Sequence, residues 1–218
     1  MIAESHSWKN ELIIISNRIE KQVHTKKDWS GKKYTRFEKD VMFGFYIIRK
    51  LIESKKLTNR IISTNIKCDK YPNSGMDVTF MNNHRIPELY DFKTKSNQKF
   101  ELKFLLNQFI HSYIFHPILA LTDYNGLTFT DISEHNVTDE ELQVTYEKSR
   151  RELVSILFNS YDKRNDFIYE INVNTLIQLF KNIGNCEVNS TIFTYNEKKK
   201  DYDIEQSYVD NSNLDLPF

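Results

Sequence analysis

The sequence predicts an α+β fold: a compact helical core of three to four longer helices, with short antiparallel hairpins around it. Three observations lead there. Apolar residues recur at helical spacing near the amino terminus and in the block VMFGFYII, polar and apolar residues alternate in several short runs, and turn residues separate those runs. At 218 residues, with 39% hydrophobic and 13% aromatic content, the chain can bury a sizeable core. One domain is expected over 1–205, followed by a flexible C-terminal tail at 206–218.

Residues 4–24 place Trp8, Leu12, Ile15 and Ile19 at spacings of 4, 3 and 4, which predicts a first helix. The basic stretch Lys26–Lys33 reads as a loop. Phe37–Leu57 is the strongest helical pattern, and its centre is apolar on all sides, as in a helix enclosed by the rest of the domain. Glu38 and Arg49 stand eleven residues apart, three turns, and share a face with Met42, Phe45 and Ile52. Ile62, Thr64, Ile66 and Cys68 alternate as a strand; Asn73-Ser74-Gly75 marks a turn, and Met76–Met81 reads as a second short strand.

After a polar linker at Lys93–Lys99, the pattern predicts a helix over Phe100–Phe115, stopped by Pro117. A hairpin is expected next, Ile118–Asp123 and Leu127–Ile132 around Asn125-Gly126. Thr138 and Glu141 form a capping box for a helix to about Ser160, with Leu142, Tyr146, Leu153 and Leu157 as its buried stripe. Phe167, Tyr169, Ile171 and Val173 alternate as a strand. Asn174 caps a helix through Ile183, closed by Gly184. Val188–Tyr195 and Tyr202–Tyr208 form a last hairpin around Lys198–Lys200.

Thirty basic residues cancel thirty acidic ones, so no overall positive field supports non-specific nucleic-acid binding. Cys68 and Cys186 are far apart and read as reduced thiols, with a single disulfide between them as the alternative. The amino terminus lacks the pattern of a signal or transit peptide, and no apolar run is long enough to span a bilayer. A cytoplasmic protein is expected. The richness in Asn, Lys and Ile is the usage of an AT-rich genome.

The chemistry concentrates in Phe104–His116, FLLNQFIHSYIFH, where Asn107 and His111 fall on one helical face and Gln108 and Ser112 on the next. Polar groups among Phe, Leu and Ile need partners or a function. His111 and His116 lie on different faces and make a poor metal pair, whereas His6, His24, His84 and His135 sit in polar contexts. Neither cysteine has a neighbour at zinc-ligand spacing, and no Gly-rich phosphate loop or nucleophile elbow is present. No cofactor and no metal are expected.

Leu106-Asn107-Gln108-Phe109-Ile110-His111 resembles the Arg-Asn-x-x-x-His motif of the HEPN superfamily. Members of that superfamily are helical bundles, many of them metal-independent ribonucleases in toxins and phage defence. The resemblance implies a catalytic His111 for acid–base attack by the ribose 2′-hydroxyl, with Asn107 as its orienter. The motif's arginine, which would stabilise charge on phosphorus, is replaced by Leu106; Arg49 could substitute in space, with Glu38 as the acidic helix residue. The blocks FEKDVMFGFYIIRKLIE and NQFIHSYIF also look like members of a widespread uncharacterised bacterial protein family.

Two other readings stand beside this one. His111, Asn107 and Arg49 could instead form a buried hydrogen-bond network between two helices, in a non-enzymatic scaffold whose hairpins offer edges and aromatics to a protein partner or to a second copy. Asp91 with Glu101-Leu102-Lys103 has the outline of the PD-(D/E)xK nuclease motif, in which Asp91 and Glu101 would hold a divalent metal. The basic runs Lys26–Arg36 and Lys198–Lys200, with Tyr34, Phe37, Tyr195 and Tyr202 nearby, could bind RNA by charge and stacking, or be solvated turns.

Overall fold

Helix α1 (Ser5–His24) buries Leu12, Ile15, Ile19 and Val23 along one stripe, and α2 (Gly31–Glu53) buries Phe37, Val41, Phe45, Ile48 and Leu51. A computed structural model describes residues 2–24, 29–121, 140, 144 and 149–208. A single turn, α3 (Asn59–Ile62), capped by the Thr58 side chain, leads into β1 (Asn65–Pro72). Then follow α4 (Ile86–Leu89), β2 (Ser96–Glu101), α5 (Leu102–Ile110) and β3 (Ser112–Leu121). The remaining elements are β4 (Arg151–Ser160), β5 (Phe167–Asn172), α6 (Val173–Gly184), β6 (Ser190–Asn196) and β7 (Asp201–Ser207).

Five strands form an antiparallel sheet in the order β2-β1-β5-β4-β3, and β6 and β7 form a separate two-stranded sheet. The larger sheet separates two cores. Phe158, Tyr169 and Ile171 join the helices in the main core, whereas their strand neighbours Leu157 and Ile168 pack with Tyr71, Val78, Ile86, Leu89 and Tyr90 in a smaller one. Adjacent strand residues point to opposite sides, so the two cores lie on opposite faces.

An aromatic column ties the helical layer to the sheet. Phe180 of α6 meets Phe45 of α2 edge to face, with ring centroids 5.4 Å apart. Phe45 stacks on Phe109 of α5 at 4.0 Å, and Phe109 on Phe158 of β4 at 4.2 Å. Two glycines allow this closeness. A Cβ on Gly44 would lie 2.3 Å from the Phe180 ring, and one on Gly184 would lie 2.5 Å from Ile13 of α1.

Several expectations are corrected. Met76–Met81 is not a strand: it forms turns that cover the smaller core through Val78. The Lys93–Lys99 linker is in part strand β2, and the helix expected over Phe100–Phe115 is the end of β2, nine residues of α5, and the start of β3. Pro117 lies inside β3 opposite Ile156; it is tolerated because β3 is an edge strand, where a missing N–H need not face a neighbour.

The helix expected to run to Ser160 is, over Arg151–Ser160, a strand buried by a core on each face. Two-sided burial removes the alternation that betrays a strand, so Leu153 and Leu157 mimicked a helical stripe. Thr138 and Glu141 of its proposed cap, like the Asn125-Gly126 turn, lie outside the described residues, whereas Glu140 and Val144 are helical. The centre of α2 is not wholly enclosed, since Phe43 and Tyr46 are each 44% exposed. The fold continues past 205, with Gln206 buried in β7. Both cysteines are free and buried.

Gly44→Ala should destabilise the chain in spite of alanine's helix preference. That preference contributes roughly 0.5–1 kcal/mol, whereas forcing a methyl against a buried phenyl ring costs about 1–3 kcal/mol. Gly31→Ala, with nothing within 4 Å of the new Cβ, should leave stability equal or slightly higher in urea titration.

Candidate functional site

The motif-bearing segment lies at the junction between α5 and β3. His111 is the residue that ends α5: its N–H bonds to the Asn107 carbonyl at 3.1 Å, and Ser112 begins β3. Asn107 and His111 are exposed on one face, and Gln108 is the buried polar residue, with its Oε1 accepting from the Ser160 N–H at 3.0 Å. That single bond explains why Gln108 is tolerated among apolar neighbours. The buried network of Asn107, His111 and Arg49 is not formed.

Leu106 lies in the main core, 4% exposed, so the position of the motif's arginine is a packing position here. Arg49 instead holds Glu53 on its own helix, Nε to Oε1 at 2.9 Å, and Lys50 holds the same carboxylate at 2.8 Å. Both cations draw the Glu53 carboxyl below its ordinary range through their hydrogen bonds, Lys50 first. Glu38 is exposed. The structure therefore brings Asn107 and His111 together and leaves Arg49 engaged elsewhere.

Asp91 and Glu101 stand at opposite ends of β1. The Asp91 N–H bonds to the Pro72 carbonyl, whereas Glu101 pairs with Asn65. Seven strand residues separate those levels, roughly 23 Å at strand rise, so the two carboxylates do not share one metal ion. Lys103 is already on α5. Among the described residues no group of three or more His, Cys, Asp or Glu side chains is placed to hold a metal.

A groove of about 590 Å³ opens beside β1 and the end of β5, lined by Lys67, Asp69, Lys95, Asn97, Glu170 and Asn172 among others. Its carboxylates face each other across the strands and are satisfied. Asp69 accepts from Lys95 at 2.6 Å and from Asn97 at 2.7 Å; Glu170 accepts from the hydroxyls of Tyr71 and Ser155, each at 2.5 Å. Burial and the bond to Glu170 raise the Tyr71 hydroxyl above the ordinary tyrosine value, so it serves as a donor. These bonds hold β1, β4 and β5 together and leave neither carboxylate without a donor.

The β6–β7 hairpin is different in kind. Register places Phe193 opposite Ile204 and Tyr195 opposite Tyr202, so these four share one face, while Asp201, Asp203 and Glu205 share the other. Phe193, Tyr195 and Tyr202 are 62%, 55% and 54% exposed. Among the described residues their ring contacts are with one another, with Tyr195–Tyr202 centroids 5.3 Å apart. The hairpin is anchored at its base, where Gln206 donates from its side chain to the Lys55 carbonyl and from its backbone to Asn59.

The sequence located the hairpin and its tyrosines; what it could not show is that nothing among the described residues covers them. Phe80 and Met81, on the turn above the smaller core, are more exposed still. Together these features define an α+β protein with a five-stranded antiparallel sheet and an outlying aromatic hairpin. No protein-family model, no characterised protein and no solved structure matches the chain.

Burial also holds Cys68, Tyr90 and Tyr169 in their neutral forms, each pushed up to about 12. In the unfolded chain these groups ionise near 8.5–10, so the folded state retains protons that the unfolded state has lost. Stability should thus be steady up to about pH 8.5 and fall as pH rises toward 12, by about 1.4 kcal/mol per pH unit for each group titrating. Urea midpoints across alkaline pH check this, and Tyr169→Phe should flatten the slope.

Proposed function

We propose that this chain is a non-enzymatic interaction protein whose β6–β7 hairpin accepts a protein strand. The observation that carries the reading is a hairpin with an uncharged outer strand and an exposed aromatic face, held at its base by hydrogen bonds from Gln206 to Lys55 and Asn59. A two-stranded sheet is marginal alone, because it lacks a third strand and a covered apolar face. A partner strand supplies the first through backbone hydrogen bonds and buries part of the second. Aromatic residues suit that use, since they bury large area with few rotatable bonds.

A photo-activatable amino acid at Tyr195, introduced in the native cell, should give a discrete cross-linked adduct on gels. The same group at Lys103, exposed on α5, should give none. Absence of an adduct at Tyr195 would contradict the reading.

A second reading keeps RNA as the ligand, at Asn107 and His111, and is supported by the exposure of both on one face. It lacks a cation at position 106, and Arg49 is held by Glu53. His111→Ala, at an exposed helix end, should change stability by no more than about 0.5 kcal/mol. If the second reading holds, the same variant abolishes cleavage of RNA by the purified chain; if the hairpin reading holds, wild type and variant are equally inactive.

A further inference from the structure

We infer that the outer edge of β6 pairs antiparallel with β6 of a second copy, about a two-fold axis at Phe193, joining two hairpins into one four-stranded sheet. This rests on the hairpin being the docking element and names its partner as the chain itself. Proteins protect exposed edge strands with charges, prolines, bulges or brevity. β6, STIFTYN, carries no charge and no proline, and its register against β7 is continuous over seven residue pairs. Its residues Thr191–Tyr195 are all exposed.

The other edge is built the opposite way. β7 carries Asp201, Asp203 and Glu205 at alternate positions, so antiparallel self-pairing there would set carboxylate against carboxylate. Of the two edges, only β6 can meet its own copy without repulsion.

Centring the pair on Phe193 sets residues equally distant from it face to face. Phe193 meets Phe193 of the partner subunit, Ile192 meets Thr194 of the partner subunit, and Thr191 meets Tyr195 of the partner subunit. Aromatic and β-branched cross-strand pairs of this kind are favourable. Glu187 precedes β6 and the lysine-rich turn Lys198–Lys200 follows it, so the two-fold brings the acidic approach of one copy toward the lysine-rich turn of the other, where Lys199 also holds Asp203 at 2.6 Å. Because the two-fold keeps faces in common, the Phe193, Tyr195 and Tyr202 side chains of both copies form one continuous aromatic surface. A seven-residue edge is short, roughly 23 Å, and a single strand pair is a small contact, so the dimer is concentration-dependent.

The full chain should sediment as a monomer at low concentration and as a dimer at high concentration. Phe193→Lys sets two ammonium groups face to face on the axis and should raise the dissociation constant tenfold or more, with unchanged far-UV circular dichroism. Under mild oxidation Phe193→Cys should form covalent dimers at least ten times faster than Thr191→Cys. In the proposed register the two copies of position 191 are offset by four residues, about 13 Å, beyond the ~7 Å reach of a disulfide. Cys68 and Cys186 are buried and do not compete.

A chain that stays monomeric at every concentration, equal cross-linking at the two positions, or a Phe193→Lys dimer of undiminished affinity would each overturn the pairing. The photo-adduct at Tyr195 separates this failure from that of the wider reading. An adduct of two chain masses supports the pairing, an adduct of another mass overturns self-pairing but leaves strand docking standing, and no adduct removes both.

Discussion

The column Phe180–Phe45–Phe109–Phe158 is the contact on which the rest of the structure depends. It runs from α6 through α2 and α5 into β4, so four elements distant in sequence share one set of ring contacts. Stacked rings at 4.0 and 4.2 Å leave no room for error in helix position, and Gly44 is the concession that lets α2 approach α6 closely enough. With α2, α5 and α6 fixed, β4 is held against the helical layer and the sheet becomes a rigid partition between two cores. The ion pairs that link α1 to its neighbours, Arg18–Asp40 and Lys181–Glu20, are partly exposed and add little beside it.

That rigidity bears on what the surface can do. The groove near Asp69 and Glu170 looks chemically rich, yet each of its carboxylates is matched by donors from neighbouring strands. Its polar groups stabilise the sheet, as Gln108 stabilises the α5–β3 junction. The hairpin shows the reverse: its aromatics bury little within the fold, and its attachment runs through Gln206 to Lys55 and Asn59. Apolar surface that folding leaves uncovered lowers the free energy of association when a partner covers it.

How much of this was legible in the sequence depends on how each element is buried. α1, α6 and the β6–β7 hairpin each have one buried face or none, so spacing and turn residues locate them within a residue or two. β4 is buried on both faces, and its leucines carried a helical spacing by coincidence. The run from Phe100 to Leu121 crosses two strands and a helix without a glycine or an internal proline until Pro117, so no local signal marks the change at His111. Pro117 itself misled, since its tolerance depends on β3 being an edge, which is a property of the whole sheet. For the site, the sequence put Asn107 and His111 on one face, but the burial of Leu106 and the engagement of Arg49 with Glu53 belong to tertiary structure.

The central claim, that β6 is an interaction edge on a rigid body, is tested most directly by amide hydrogen exchange measured at low and high protein concentration. The outward-facing amides of Thr191–Tyr195 should exchange rapidly when dilute and slow markedly as concentration rises, while those of β4 and α5 stay protected throughout and the outer edge of β7 stays fast. Exchange of β6 that is the same at both concentrations, or slowing of β7 in its place, would contradict the account.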